Sequence, residues 1–143
     1  MIADDLKARF GDDVEAAEQV GRELRLRLKP ASLVACCRFC KERGYSYPAD
    51  VTAVDTGAEL RVVYRLVSLQ TGEHIVISVG VPRAGGSLPS VVGVLKGANW
   101  PEREVFDLFG VRFIGHPDLR RILLTDDWQG HPLLKTAEQG RGR

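Results

Sequence analysis

Three cysteines lie within five residues and form the first group that could carry chemistry. Cys37 and Cys40 are three positions apart, and Cys36 comes directly before them. Two thiols one helical turn apart can form a disulfide or share a metal ion. However, the spacing of the surrounding apolar residues is that of a helix, and the chain has only 3 cysteines, too few for a four-thiolate cluster. We therefore predict reduced thiols buried in the core, with a thiol redox or metal-binding protein as the alternative.

Acidic residues near a histidine form the second group. Glu102, Glu104 and Asp107 precede His116, and neighbouring carboxyl groups can shift one another's pKa values and so act as acid and base. No nucleophile or oxyanion site accompanies them. The favoured interpretation is structural, because Arg103 and Asp107 are four residues apart on one helix, where they can form a solvated or interfacial ion pair.

The three histidines are the remaining candidate ligands. His74 lies far upstream of His116 and His131, whereas a catalytic zinc needs three protein ligands and a structural zinc four. His116 and His131 both stand in Gly-His-Pro, a sequence that favours a tight turn. We predict that each imidazole bonds a nearby carbonyl or carboxylate there.

Helices and strands must position these side chains, and apolar periodicity predicts where they lie. Residues 22–29 alternate leucine with charged residues, which indicates a half-buried strand. The predicted helices cover residues 4–10, 32–44 and 99–110, and the further strands cover 51–54, 60–69 and 75–81. In the third helix we expect Asn99 to be the N-cap, Glu102 to occupy the capping-box position and Gly110 to end the helix.

Composition limits the class of protein. The 143 residues suit one domain, and 20 Lys and Arg against 19 Asp and Glu give a net charge of +1, which disfavours nucleic-acid binding. No apolar run is long enough for a transmembrane helix, and the acidic amino terminus does not resemble a signal peptide. We expect a cytoplasmic α+β domain with a mostly antiparallel four-stranded sheet, helices on one face and an extended C-terminal arm.

The last third of the chain differs from the rest. Prolines and glycines interrupt every element after residue 110, yet apolar residues such as Phe113 and Trp128 remain frequent. Such side chains must be covered by the domain itself or by another protein. We therefore predict a domain at residues 1–110 and a partner-binding arm at residues 111–143.

Residues 99–111, NWPEREVFDLFGV, continue as FIGHPDLRRIL at 113–123 and DDWQGHPL at 126–133. This pattern resembles the C-type, or 30-kilodalton, subunit of NADH:quinone oxidoreductase (respiratory complex I). The shared features are Glu-Arg-Glu, an acid followed by two apolar residues, and His-Pro followed by arginine and aliphatic residues. The resemblance extends over about 50 residues, whereas the first 80 agree only in the order of their helices and strands.

The resemblance implies a non-catalytic structural subunit of the peripheral arm, with no flavin, iron–sulfur cluster or quinone of its own. Its partners would be the large quinone-site subunit and the iron–sulfur subunits, on the cytoplasmic face of the inner membrane. The membrane would be reached only through the complex, a translocase that transfers electrons from NADH to quinone. The equivalent subunit of a membrane-bound energy-converting hydrogenase is the alternative.

The partner interface is predicted on the signature residues and the arm. Aromatic anchors supply interface energy, and charged residues fix the register. Asp118 and the pair Asp126 and Asp127 offer carboxylates to the arm's arginines, although we favour ion pairs with a neighbouring subunit. The predicted interface residues are Trp100, Arg103, Glu104, Phe106, Asp107, Phe113, His116, Arg120, Arg121, Trp128 and His131.

Overall fold

A computed structural model describes residues 2–119 and contains one five-stranded sheet and one two-stranded sheet. The strands of the large sheet are long and follow one another along the chain. They are β1 (Val14–Val20), β2 (Glu23–Leu28), β3 (Tyr47–Asp55), β4 (Leu60–Val67) and β5 (His74–Val81).

The large sheet has the order β1-β2-β5-β4-β3. Antiparallel pairs join β1 to β2, β3 to β4 and β4 to β5, while β2 and β5 are parallel. The predicted α+β class with a mostly antiparallel sheet is therefore confirmed. The sheet has five strands, whereas four were predicted. The strand that the prediction missed is β1, because its sequence is rich in alanine and glutamate, which are poor strand formers.

Alternating side chains give the sheet one buried and one open face. In β4 and β5 every second residue is buried, including Val62, Tyr64, Ile75 and Ile77, and the intervening residues are half-buried. This is the period of two expected for strands that cover a core on one side.

Three helices complete the buried side. They are α1 (Ile2–Phe10), α2 (Leu33–Glu42) and α3 (Asn99–Phe109). Leu6 of α1, Leu33 of α2 and Val105 of α3 belong to the same apolar core as the inward residues of the sheet. Helices on one face of the sheet were predicted, and this is confirmed. None of the helices within residues 2–119 is long and apolar enough to span a bilayer.

A small parallel sheet extends the domain beyond α3. The strands β6 (Ser87–Pro89) and β7 (Arg112–Ile114) pair with Leu88 opposite Phe113. Leu88, Val111 and Phe113 are buried in the common core. Residues 111–119 thus pack on the domain, and the predicted boundary after residue 110 falls within this packed region. Most of the predicted arm, residues 120–143, lies outside the described residues.

Candidate functional site

Helix α3 carries most of the predicted site residues. It begins at Asn99 itself, after Ala98, and no side chain caps its amino end, so the predicted Asn99 cap and the Glu102 capping box are wrong. Its carboxyl end is as predicted. Gly110 has φ +82°, a left-handed conformation that glycine adopts without a Cβ clash, and its N–H donates to the carbonyl of Phe106.

Glu102 is fully buried and links three parts of the fold. The Ser90 hydroxyl donates to Oε1 at 2.6 Å, while the backbone N–H of Val91 and the Tyr64 hydroxyl donate to Oε2 at 3.0 and 3.2 Å. Helix α3 is thereby joined to strand β4 and to the segment that follows β6. The Glu102 side chain points inward, because all three of its hydrogen-bond donors lie on the inner side of α3 and none lies at the amino end of the helix.

Burial governs the protonation of this cluster. Desolvation raises the pKa of the Glu102 carboxyl, although its hydrogen bonds to Ser90 and Val91 act in the opposite direction. Burial also raises the pKa of the Tyr64 hydroxyl well above its usual range, with the Glu102 carboxylate as a further cause. The carboxyl accepts three hydrogen bonds from the core, which suits a group that joins parts of the fold.

The exposed part of α3 centres on Trp100. Its side chain is 53% exposed, and the Arg103 guanidinium lies over its ring at 5.2 Å from the centroid. Arg103 is itself mostly buried, and its Nη1 lies 3.9 Å from Oδ2 of Asp118. Arg103 therefore lies between the indole ring and Asp118, and the indole ring remains open to solvent.

His116 makes the turn predicted for Gly-His-Pro. The backbone N–H of Asp118 donates to Nδ1 at 2.9 Å, so Nδ1 is the acceptor. Nε2 lies 3.1 Å from the Asn99 carbonyl and donates to it in the neutral tautomer. The bond to a nearby carbonyl is confirmed, and the imidazole ties the segment after β7 to the first residue of α3.

The other predicted interface residues on α3 differ in exposure. Glu104 and Phe106 are half-buried, whereas Asp107 is fully buried. Arg103 and Asp107 are both buried, which contradicts the solvated form of their predicted ion pair, while the interfacial form stays a prediction. Phe113 is 2% exposed and presents almost no surface to a partner. Arg120, Arg121, Trp128 and His131 lie outside the described residues.

The three cysteines lie on α2 and face the apolar core of the domain. Cys36, Cys37 and Cys40 are fully buried as free thiols. Burial raises the pKa of the Cys37 thiol, and a hydrogen bond with Cys36 together with burial raises that of Cys40. A reactive thiol needs a lowered pKa and access to solvent, so these contacts disfavour redox chemistry. Among residues 2–119, no three metal-ligating side chains come close enough to hold an ion.

Thiol labelling tests this arrangement. We expect native protein to react with Ellman's reagent far more slowly than a free thiol peptide at pH 8, because the three sulfurs are buried and shielded from the reagent. Unfolding in guanidinium should expose 3 reactive thiols. Fast stoichiometric labelling of two thiols in the folded chain would contradict buried core cysteines and support the redox alternative.

Comparison with known proteins identifies the family. The model for the 30 Kd subunit of respiratory-chain NADH dehydrogenase matches residues 26–142. The chain belongs to this family. The signature at residues 99–133 lies within the match, and the resemblance found in the sequence is confirmed.

Two relatives within the 30-kilodalton subunit family are similar over nearly the whole chain. The C-type subunit of the NADH-quinone oxidoreductase of Geobacter metallireducens is 43% identical over 144 residues, covering 96% of this chain and 89% of the relative. Its counterpart from Geobacter sulfurreducens is also 43% identical, covering 91% and 83%. These relatives favour the NADH:quinone oxidoreductase assignment over the hydrogenase alternative.

Solved structures share the fold of this 30-kilodalton subunit family member. A trypsin-resistant fragment of Nqo5 aligns with a TM-score of 0.70 and 31% identity, covering 82% of this chain and 98% of the fragment. A chain from the membrane-bound sulfane sulfur reductase, an archaeal respiratory membrane complex, aligns with a TM-score of 0.73 and 26% identity, covering 89% and 79%. The fold of this domain is therefore shared with Nqo5 and with a chain of an archaeal respiratory membrane complex.

Proposed function

We propose that this chain is a non-catalytic connecting subunit in the peripheral arm of an NADH-quinone oxidoreductase. Membership of the 30-kilodalton subunit family carries the proposal. As proposed, the subunit binds no cofactor of its own. It supports two activities of the whole complex, electron transfer from NADH to quinone and translocation.

The contacts of the polar side chains support a structural role. The carboxyl of Glu102 and the imidazole of His116 are the strongest acid and base candidates in α3 and the turn after β7. Each is bonded to groups that hold the fold together, Glu102 to Ser90, Val91 and Tyr64, and His116 to backbone groups. A catalytic acid or base has to reach a substrate, whereas these two groups are directed at the protein.

The proposed partners are the large quinone-site subunit and the iron–sulfur subunits of the same complex. A relative from Methylococcus capsulatus is named as a combined C/D subunit of NADH-quinone oxidoreductase, and this chain is 38% identical to a part that makes up 24% of its length. In that protein one chain carries both parts, which supports a D-type subunit as a neighbour of this one. Association with the cytoplasmic face of the inner membrane is proposed to occur through these partners.

The proposed interface is the exposed surface of Trp100 together with the arm. Trp100 is large, solvent-exposed and held by Arg103 and the segment that contains Asp118, which makes it a rigid aromatic anchor. Glu104, Phe106, Arg120, Arg121, Trp128 and His131 remain proposed contacts. The alignment spans 98% of the trypsin-resistant Nqo5 fragment and 82% of this chain, which supports a compact domain over most of the chain. A partner-binding arm at residues 111–143 remains part of the proposal.

Replacing Trp100 with alanine tests the proposed interface. We expect Trp100→Ala to cost roughly 2 kcal/mol or more of binding free energy, as is typical of an interface tryptophan. Its effect on the free energy of unfolding should be small, because the indole is half-exposed. The measurement is affinity purification of the tagged chain from its native cell in mild detergent, followed by mass identification of the subunits recovered with it.

The control is Leu69→Ala, which removes another exposed side chain, in the turn after β4. Wild type and the control should bring down a large quinone-site subunit and an NADH-oxidising flavoprotein, and Trp100→Ala much less of both. Recovery of the wild-type chain alone would contradict a connecting subunit. Recovery with a nickel-bearing large subunit would establish the hydrogenase alternative.

A further inference from the structure

One edge of the five-stranded sheet, strand β3, lies beside α3. Strand β3 pairs with β4 on one side only, and no strand among residues 2–119 pairs with its other side. A bulge between Pro48 and Asp50 interrupts the start of β3, and the register is regular from Asp50 to Asp55. Along this regular stretch, alternate backbone N–H and C=O groups point outward, as on any edge strand.

A groove of about 230 Å³ runs between this edge and α3. Its walls are mostly apolar. The residues that line it are Val51, Thr52, Ala53, Glu104, Val105, Leu108 and Phe109. Val54, on the same edge, is 54% exposed. A groove between an edge strand and a helix is the geometry in which an added strand binds, with its backbone on the edge and alternate side chains in the groove.

The charges at this edge are acidic. Glu104 lines the groove and Asp50 lies at the start of the regular stretch. Neither carboxylate makes a hydrogen bond or ion pair with a residue in the described part of the chain. An occupant with Lys or Arg would gain favourable electrostatic interactions here. Two copies of this chain joined through β3 would bring like charges together, which disfavours a homodimer at this edge.

We propose that this groove binds one extended segment of another subunit in the complex, which adds to β3 as a sixth strand. The segment places apolar side chains against Leu108 and Phe109 and a basic side chain beside Glu104. The proposal rests on the proposed function, because it takes the occupant from the same complex. It adds a second docking surface, on the side of α3 that faces β3.

Photocrosslinking in the native cell tests the occupant. The probe is p-benzoylphenylalanine at Thr52, which is exposed and lines the groove, and the matched control carries it at Leu69. After irradiation the complex is purified and the crosslinked peptides are identified by mass. We expect the Thr52 probe to capture one peptide of another subunit that combines apolar and basic residues, and the Leu69 probe not to capture that peptide.

A charge reversal provides the second measurement. Glu104→Lys should lower incorporation into the complex by roughly tenfold in competition with wild type, since like charges at an interface oppose association. Glu42→Lys, which makes the same charge change on the exposed end of α2, should compete equally with wild type. Equal incorporation of both variants would overturn the role given to Glu104.

The outcomes separate the two proposals. If the probe-bearing chain assembles but Thr52 captures a second copy, residues 120–143 of this chain or nothing, the groove inference fails and the proposed function stands. If the wild-type chain purifies without other subunits, the proposed function fails, and the groove inference fails with it. A captured peptide that lacks basic residues would overturn the stated chemistry of the occupant.

Discussion

Replacing Glu102 with alanine is expected to lower the free energy of unfolding by about 2 to 4 kcal/mol, because it breaks a buried hydrogen-bond network. The variant leaves the Ser90 hydroxyl, the Val91 N–H and the Tyr64 hydroxyl without their acceptor. Each unsatisfied buried donor costs about 1 to 3 kcal/mol, although hydroxyl groups can rotate toward other acceptors. Denaturant unfolding followed by circular dichroism provides the measurement.

The matched control is Glu104→Ala, which removes the same side chain two residues along α3. Glu104 is half-buried and has no hydrogen bond or ion pair to the described residues, so its loss should change stability by less than about 1 kcal/mol. Similar losses in the two variants would mean that the network around Glu102 does not stabilise the fold.

Glu102→Gln isolates the effect of the charge. Burial raises the pKa of this carboxyl in the folded state above its unfolded value, so the folded protein binds more protons than the unfolded one. Stability from this group is therefore greatest below the unfolded pKa of 4.5 and falls as pH rises through the folded pKa. As pH rises through this window, wild type should therefore lose stability relative to Glu102→Gln, whose side chain does not titrate.

The sequence predicts those elements that depend on local pattern. Alternation of leucine with charged residues identified β2, and the predicted strands at 51–54, 60–69 and 75–81 overlap β3, β4 and β5. Gly110 ended α3 for a local reason, since only glycine adopts its left-handed conformation without cost. These features involve neighbours in sequence, where periodicity and turn chemistry carry the information.

Long-range features were not predictable in this way. Strand β1 forms despite weak strand propensity because β2 offers it a partner along its whole length. The parallel pairing of β2 with β5 joins segments about 50 residues apart, and no local signal specifies it. Glu102 does share a helical stripe with Val105 and Phe109. That position is a signal for burial that the capping-box prediction passed over. The acceptor role of Glu102 depends on Ser90 and Tyr64, which only the fold brings near.

The sequence also could not distinguish exposed from buried aromatic residues in the predicted interface. Trp100 and Phe113 both lie in the family signature and both were expected to anchor a partner. In the structure Trp100 is 53% exposed and Phe113 is 2% exposed. Phe113 alternates with exposed neighbours in β7, and its pairing with Leu88 turns it into the core. We therefore expect a substitution of Phe113 to change the stability of the domain.

Phe113→Ala is expected to lower the free energy of unfolding by about 3 to 5 kcal/mol, because it leaves a cavity where β6 and β7 meet the core. Ile114→Ala is the matched control, since the next residue of the same strand is 61% exposed and should cost little. Unfolding in denaturant measures both. Phe113→Ala should reduce assembly only as far as it reduces folded protein, in contrast to Trp100→Ala. A Phe113→Ala chain that keeps wild-type stability but fails to assemble would return Phe113 to the partner interface.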